Sequence, residues 1–400
     1  MNNFDKYLTN YAEDEVNLLA TFPQHNSYSH TLIIPAYKEN PSFIDAFIQS
    51  KLVHQNVLLI IVINQPEYEN NLSMQTALYQ HGLNQGKVIW QENNLTLVDI
   101  FDSNSSILLI DRFTAPLPDK QGVGLARKIG ADIACALISQ NIISSVWLHS
   151  SDADTKLPDS YFTCLVENQT KSSVAACYNF THTCDDKTIE HANAIYEQAL
   201  RYYVAGLSYA NSPYNYFTIG SVLAFRAQAY VAVRGFPKRS AGEDFYLLNK
   251  LAKLGDILWL KSCVLKLEAR MSDRVPFGTG PAVKQIVELS EKDESYHYYH
   301  PLVFERLKTV LSNFSSLHQY RNNLLPWYNF CADDIECALK MIGFEPFVEK
   351  QKEMSEKQFN KQLFVWFDAF KTLKFIHALK DNYYPNIPIE KAINQAPFSL

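Results

Sequence analysis

The chain alternates short apolar runs with segments of helical periodicity, and this alternation is its strongest constraint on the fold. Val57–Ile63 is a run of seven apolar residues, mostly β-branched, as expected for a strand buried on both faces. Thr31–Ile34, Ile107–Ile110 and 145–149 are similar runs, and Gly122–Ser139 between the last two has a helical pattern. This order predicts a mostly parallel sheet between two layers of helices.

The same alternation continues downstream and then stops. The pattern predicts strands at 174–180 and 257–267 and helices at 188–208, 225–233 and 242–254. After about residue 285 the sequence becomes helical in pattern and rich in aromatic, Lys and Glu residues. We therefore expect a helical lead-in over 1–28, an α/β domain over 29–285 and a helical module over 286–400.

Composition excludes several classes of protein. The 36 basic and 42 acidic side chains give a net charge of −6, which argues against a general nucleic-acid binder. No apolar run approaches the ~20 residues of a membrane-spanning helix, and the first residues lack the layout of a signal peptide. Seven scattered cysteines without CxxC spacing indicate reduced thiols. We expect a cytoplasmic protein with no transmembrane segment and no nucleic-acid partner.

Two carboxylates follow the predicted strand at 145–149, in the sequence Asp152-Ala153-Asp154. Ligands of open α/β sheets gather at the carboxyl ends of the strands. Carboxylates separated by one residue can approach one Mg²⁺ or Mn²⁺, since both ions prefer oxygen ligands. A DxD sequence is also common in solvated turns, so the pair alone indicates either a metal site or a surface turn.

Three further segments lie in a recognisable order around this pair. They are Ile33–Glu39 (IIPAYKE), Gly122–Gly130 (GVGLARKIG), and Gly235–Pro237 followed by Gly242–Asp244. Together with the DxD pair they resemble the motifs of family 2 glycosyltransferases of the GT-A fold. The resemblance implies a three-layer α/β/α fold with a helical C-terminal extension. It also implies metal-dependent transfer of a hexose from a nucleoside diphosphate sugar to an acceptor hydroxyl.

The resemblance assigns a role to each matching position. Asp152 and Asp154 would hold Mn²⁺ or Mg²⁺ with the donor diphosphate. Asp244, following Glu243, would be the general base, although both residues also suit plain capping of a helix N-terminus. The side chains implied for the donor nucleotide are Pro35, Tyr37, Glu39, Asn64, Arg127 and Asp152.

The sequence also departs from the family pattern. Asn64 occupies a position where the family commonly has Asp, so its hydrogen bonds to a nucleobase would differ. Lys128 replaces the family's Asn, and its added positive charge would meet phosphate. The Gln-x-x-Arg-Trp motif of processive synthases is absent, which argues against a membrane-embedded polymer synthase.

A second resemblance keeps the stereochemistry open. Retaining enzymes that glycosylate glycerate or phosphoglycerate share an Ala-Arg-Lys-x-Gly-like helix. In that case Arg270 and Arg274 would bind phosphate or an acidic acceptor, and His297 or His300 would be a third metal ligand. Surface salt bridges for the arginines, and an ordinary helix surface for the histidines, are the alternatives. If Asp244 is the base, by contrast, attack is direct and inverts the anomeric carbon.

Other functions and partners also stay open. A non-catalytic scaffold retaining the GT-A core is one rival. A nucleotidyltransferase ranks last, because the loop after the first strand lacks glycine. The acceptor would be a small molecule, a glycan or a lipid-linked sugar, and a homo-oligomer is compatible with the sequence. Apolar residues at helical spacing near lysines predict either peripheral contact with anionic lipid or packing on the protein's own core; they are Phe359, Leu363, Trp366, Phe367 and Phe370.

Overall fold

The computed structural model describes residues 3–24, 27–269 and 278–400. The chain forms two compact units. The first contains the described residues of Met1–Cys184 and Thr218–Ala269, and the second contains Asp185–Phe217 and Gly278–Leu400. The segment 185–217, which we expected in the α/β domain, therefore groups with the C-terminal helices.

Strands form the large sheet of the first unit and one two-stranded ladder in the second. Their bounds are β1 His30–Ala36, β2 Val57–Pro66, β3 Gly86–Glu92, β4 Leu95–Ile100, β5 Ser106–Leu117, β6 Trp147–Ser150, β7 Thr155–Lys156, β8 Ser173–Thr183, β9 Leu223–Arg226, β10 Asp256–Glu268, β11 His297–Tyr298 and β12 Ile387–Pro388.

Helices connect these strands and build most of the second unit. They are α1 Asn3–Asn10, α2 Ser42–Gln49, α3 Ser73–Leu83, α4 Gly122–Ser139, α5 Tyr161–Asn168, α6 Lys187–Tyr209, α7 Ala227–Ala232, α8 Glu243–Leu251, α9 Thr279–Ser290, α10 Leu302–Asn313, α11 Leu325–Tyr328, α12 Asp333–Met341, α13 Phe344–Gln351, α14 Glu356–Trp366, α15 Ala369–Asn382 and α16 Ile389–Gln395. Short 3₁₀ turns lie at Asp14–Thr21, Lys51–His54, Gly220–Val222 and Phe314–Tyr320.

The first unit is a mixed α/β structure built on one large sheet. In the described residues, its strand order is β3-β4-β5-β2-β1-β6-β9-β8-β10-β7. The central strands β5, β2, β1 and β6 run parallel. Strand β2 is buried from Val57 to Gln65, which means that both faces of the sheet are covered. The predicted α/β class is confirmed.

The sheet differs from the expected, mostly parallel one at its sides. Residues 86–100 form an antiparallel hairpin of β3 and β4, which the sequence reading missed. Residues 225–226, the start of the helix predicted over 225–233, belong instead to β9, which pairs antiparallel with β6 and β8, and the helix α7 begins at Ala227. This strand has only four residues, too few to establish a period of two in the sequence.

The second unit is helical and has its own core. Trp327 and Phe344 are fully buried and stack with ring centroids 5.5 Å apart. Of the apolar stripe, Phe359, Leu363 and Phe367 belong to this core. Trp366 and Phe370 stay partly exposed. The stripe is therefore mainly internal packing. Among the described residues, no helix has the length and apolarity needed to cross a bilayer.

Close packing of α4 on the sheet leads to the first prediction. A Cβ at Gly130 would lie 2.5 Å from Cγ2 of Ile33, a fully buried side chain of β1. Gly130→Ala should lower the free energy of unfolding, because an overpacking cost of about 1–3 kcal/mol exceeds the gain in helix propensity of about 0.5–1 kcal/mol. Urea unfolding measures the difference.

Gly82→Ala is the matched control. Gly82 is also a buried glycine within a helix, but its Cβ would meet the flexible end of Leu109 at 2.8 Å. Gly82→Ala should therefore destabilise less than Gly130→Ala. Equal or reversed costs would contradict the rigid α4–β1 contact.

Candidate active site

A buried arginine of α4 binds groups from two other segments at one edge of the sheet in the first unit. Arg127 lies on α4 and is 2% exposed. Its Nε donates to Glu243 Oε1 at 2.9 Å and its Nη2 to Asp152 Oδ1 at 2.5 Å. Its Nη1 donates to Ser150 Oγ at 2.8 Å and to the Ser151 carbonyl at 3.3 Å. Each guanidinium nitrogen therefore binds a group at the end of β6 or the start of α8.

Two glycines make this approach geometrically feasible. A Cβ at Gly220 would come within 3.0 Å of Arg127 Nη2, so only a hydrogen atom fits there. At the start of α4, the Gly124 amide donates to the Arg239 carbonyl at 2.9 Å, and a Cβ would lie 2.5 Å from the Pro237 carbonyl. The first turn of α4 is thus packed directly on the loop that leads into α8.

Three acidic side chains surround the one guanidinium. Burial lowers the pKa of Arg127, but the charges of Asp152, Glu243 and Asp244 outweigh burial and raise it above its ordinary value. Arg127 is therefore a permanent cation in this cluster. Glu243 is 4% exposed, and its pairing with Arg127 compensates its burial.

Asp244 differs from its neighbour because no salt bridge to it is found among the described residues. Burial, followed by the charge of Glu243, raises its pKa from 3.8 to about 7. The Phe245 amide, 2.6 Å from Oδ1, and the charge of Arg127 act in the opposite direction. The carboxyl can therefore accept a proton near neutral pH, as a general base must.

The DxD pair is divided between two settings. Asp152 lies two residues beyond the end of β6, its side chain is 36% exposed, and one of its oxygens accepts from Arg127. Asp154 precedes β7, and its carbonyl accepts from the Glu268 amide at 3.0 Å. The described residues contain no group of three His, Cys, Asp or Glu side chains arranged to hold a metal ion.

Tyr37, one of the predicted nucleotide-binding residues, directly follows β1 and lies among polar and charged side chains. Lys38 has a left-handed backbone (φ 53°), its ammonium pairs with Glu69, and it lies 5.3 Å from the ring centroid of Tyr37. Burial and the neighbouring Tyr37 raise the pKa of Tyr68. Sequence reasoning named Tyr37 here but missed Lys38, Tyr68 and Glu69. Their only signal was the Pro-Glu-Tyr-Glu sequence after β2.

The remaining residues predicted to bind the nucleotide differ in how deeply they are buried at the carboxyl edge of the sheet. Pro35 is buried within β1 opposite Val62, and Glu39 is half-buried beyond the strand. Asn64 is 6% exposed, and its Nδ2 donates to the Val62 carbonyl at 3.2 Å. Because β1, β2 and β6 are parallel neighbours, these positions and Asp152 share the carboxyl edge of one sheet.

The expectation that Lys128 would meet phosphate is wrong. Its Nζ donates to Tyr7 Oη at 2.9 Å, to the Tyr11 carbonyl at 2.8 Å and to Asp132 Oδ2 at 2.6 Å. Successive helix residues point about 100° apart, so Lys128 faces α1 while Arg127 faces the acidic cluster. The ammonium is buried and fully used there.

The other candidates lie elsewhere or beyond description. Arg270 and Arg274 fall outside the described residues. His297 is exposed in β11, where it pairs with Pro388, and His300 accepts from the Leu302 amide at 3.2 Å through Nδ1. Both histidines belong to the second unit, and their role as metal ligands stays a prediction.

Comparison with known proteins assigns no family. No family model and no curated protein matches the chain. Among solved structures, GalNAc-T7 with UDP, GalNAc and Mn²⁺ has 12% identity and a TM-score of 0.38; the match covers 90% of this chain and 58% of that one. A mannosyltransferase from Pyrobaculum calidifontis with GDP-Man and Mn²⁺ has 13% identity and a TM-score of 0.36, covering 93% and 95%.

The raised pKa of Asp244 predicts a pH-dependent gain of stability on its removal. The folded protein binds the Asp244 proton more tightly than the unfolded chain, so the native state loses stability as pH rises from about 4 through 7. The stability advantage of Asp244→Asn over the wild type should already be present at pH 5 and should grow by about 1–3 kcal/mol between pH 5 and pH 8. Urea unfolding in the presence of a chelator measures this difference.

Asp159→Asn is the control, because Asp159 is exposed and pairs with Lys51 at the surface. Its difference from wild type should stay within about 0.5 kcal/mol over the same pH range. An Asp244→Asn protein that is no more stable than wild type at pH 8 would contradict the raised pKa.

Proposed function

We propose that this chain is a metal-dependent glycosyltransferase of the GT-A fold, similar to family 2. It would move a hexose from a nucleoside diphosphate sugar to an acceptor hydroxyl. The observation that carries the proposal is the cluster of Asp152, Glu243 and Asp244 around buried Arg127 at the carboxyl edge of the sheet. Three segments far apart in the sequence supply the cluster, and all three are among those that carry the resemblance.

The donor nucleoside would lie across the ends of β1 and β2. Tyr37 offers a half-buried ring, and Asn64 and Glu39 offer polar groups at the same edge. Pro35, buried in β1, would shape this pocket from beneath. Arg127 has every nitrogen occupied by protein groups, so its role would be to hold Asp152 and Glu243 in place.

Asp152 and Asp154 would hold Mn²⁺ or Mg²⁺. The donor set fits, because such ions are commonly bound by one or two carboxylates together with substrate phosphates. When bound, the ion would neutralise charge that develops on the departing diphosphate. The binding of Asp152 to Arg127 uses one carboxylate oxygen and fixes the orientation of the other.

Asp244 would be the general base. Its carboxylate would take the proton of the acceptor hydroxyl as the oxygen attacks the anomeric carbon and the bond to diphosphate breaks. Attack from the face opposite the leaving group would invert the configuration. The pKa of about 7 suits this task, because a base is most effective when its pKa lies near the working pH.

Two alternatives to this proposal stay open. The first is a retaining transferase that acts on a small acidic acceptor such as glycerate or phosphoglycerate, without an enzymic base. The second is a non-catalytic scaffold. The two experiments that follow separate them from the proposal.

Nucleotide binding is the first test. Thermal melts with millimolar UDP, GDP, ADP or CDP, with and without Mn²⁺, should show one nucleotide that raises Tm by several degrees only with metal, since a ligand at about 100 times its Kd adds ~2.7 kcal/mol. Asp152→Asn and Asp154→Asn should remove the metal-dependent rise. Asp159→Asn should retain it. A panel in which no nucleotide shifts the melt would favour the scaffold.

Hydrolysis of the donor tests the role of Asp244 as general base. A sugar derivative of the stabilising nucleoside diphosphate is incubated with the protein and Mn²⁺, and release of the nucleoside diphosphate is followed, because water can replace the acceptor. Asp244→Asn should lower kcat about 10²–10⁴-fold and preserve the nucleotide-dependent rise in Tm. The released sugar should have inverted configuration by NMR. A retained anomer with activity within fivefold of wild type would establish the retaining alternative.

A further inference from the structure

An open groove lies between three helices of the second unit and has a volume of about 610 Å³. Its apolar part includes Pro346 and Phe347 of α13 and, around the turn between α14 and α15, Val365, Trp366 and Phe370. Val365 is 39% exposed and Phe370 is 36% exposed. Trp366 stacks on Phe347 of α13, with centroids 4.6 Å apart. Packing thus fixes one aromatic ring while its two apolar neighbours face solvent.

Lysines border this apolar part on both helices. On α14, Lys357, Lys361 and Val365 are spaced four residues apart and lie in one row. On α15, the Lys371 ammonium lies 4.6 Å from the centroid of the Trp366 ring, and the Lys374 ammonium lies 4.7 Å from that of Phe370. We call Lys357, Lys361, Val365, Trp366, Phe370, Lys371 and Lys374 the basic aromatic face.

The charge of this segment opposes that of the whole chain. Residues 357–374 contain four lysines and one acid, Asp368, in a chain of net charge −6. The Asp368 carboxylate accepts from the amides of Phe370 and Lys371, both at 3.1 Å, so it caps α15. The Lys371 ammonium donates to the Ile342 carbonyl, and its pKa is lowered by burial and by the neighbouring Lys374 against the opposing charge of Asp368.

We propose that the basic aromatic face docks on an anionic membrane surface. Val365 and Phe370 would enter the region between headgroups and acyl chains, while the lysines contact lipid phosphates. Helices that lie in a membrane interface typically combine exposed apolar and aromatic side chains with adjacent lysines. Each lysine near an anionic surface strengthens partitioning onto the membrane by about fivefold. The inference uses contacts of the second unit alone and does not depend on the proposed function.

Vesicle sedimentation with the full chain tests the proposal. Phosphatidylcholine vesicles are compared with vesicles containing about 30% phosphatidylglycerol, at low and high salt. We expect partitioning at least 10-fold stronger on the anionic vesicles, and weaker at high salt because of screening. Lys357→Glu with Lys361→Glu should reduce binding more than 10-fold. Val365→Ser with Phe370→Ser should also reduce it about 10-fold at constant charge.

Matched controls use exposed residues away from this face. Lys87→Glu with Lys292→Glu makes the same change of net charge, and Leu325→Ser with Phe330→Ser removes apolar side chains that are 65% and 57% exposed. Both controls should bind within twofold of wild type. Thermal melts establish that each variant is folded, and donor-nucleotide melts show independently whether the first unit is intact.

Three results would overturn the proposal. The first is equal partitioning on neutral and anionic vesicles. The second is loss of vesicle binding on addition of inorganic phosphate at constant ionic strength, which would identify a site for a soluble anion. The third is a dimer in sedimentation velocity that Val365→Ser with Phe370→Ser dissociates, which would assign the face to a second copy of the chain.

Discussion

Burial of the Arg127 guanidinium is the constraint on which the candidate site depends. A buried cation without partners is strongly destabilising, so the fold must bring acceptors to it from wherever the chain can supply them. Here the last residue of β6, Ser150, and the loop after it, with Ser151 and Asp152, supply acceptors, and α8 supplies Glu243. The same contacts that satisfy Arg127 therefore determine where the acidic side chains stand.

Two adjacent residues of helix α4 are buried cations, and each is bound by a different set of acceptors. Arg127 binds the acidic cluster, and Lys128 binds Asp132 together with groups of the N-terminal helix. Tyr7 and Tyr230 both donate to Asp132 Oδ1, at 2.6 and 2.9 Å. The helix is thus anchored by hydrogen bonds on both sides, which limits its freedom to rotate.

The sequence was sufficient for the class of fold and for the segments that form the site. The buried strands were legible because Val57–Ile63 is uniformly apolar, and α4 was found with its observed bounds. Residues of three separate motifs do meet at Arg127. Their pairwise contacts were not predictable, because the face that a helix turns to the sheet is decided by packing at positions such as Gly130.

Other features left too little signal in the sequence. The four residues of β9 carry no clear period, and the direction of Lys128 depends on Tyr7, which is 121 residues away. The pairing of Lys38 with Glu69 joins two loops that only the neighbouring strands β1 and β2 bring together. The raised pKa of Asp244 likewise reflects burial and a neighbouring charge, and its sequence position indicates only a helix start.

The space beside Gly220 has a consequence for how relatives of this chain can diverge. A larger residue at position 220 would collide with the Arg127 guanidinium, whereas a shorter side chain at 127 would leave that volume empty. The two positions are therefore not independent: a lineage that replaces the arginine is released from the requirement for glycine, and one that keeps the arginine is not. Joint variation at 127 and 220 would thus mark the lineages in which this acidic cluster has been dismantled.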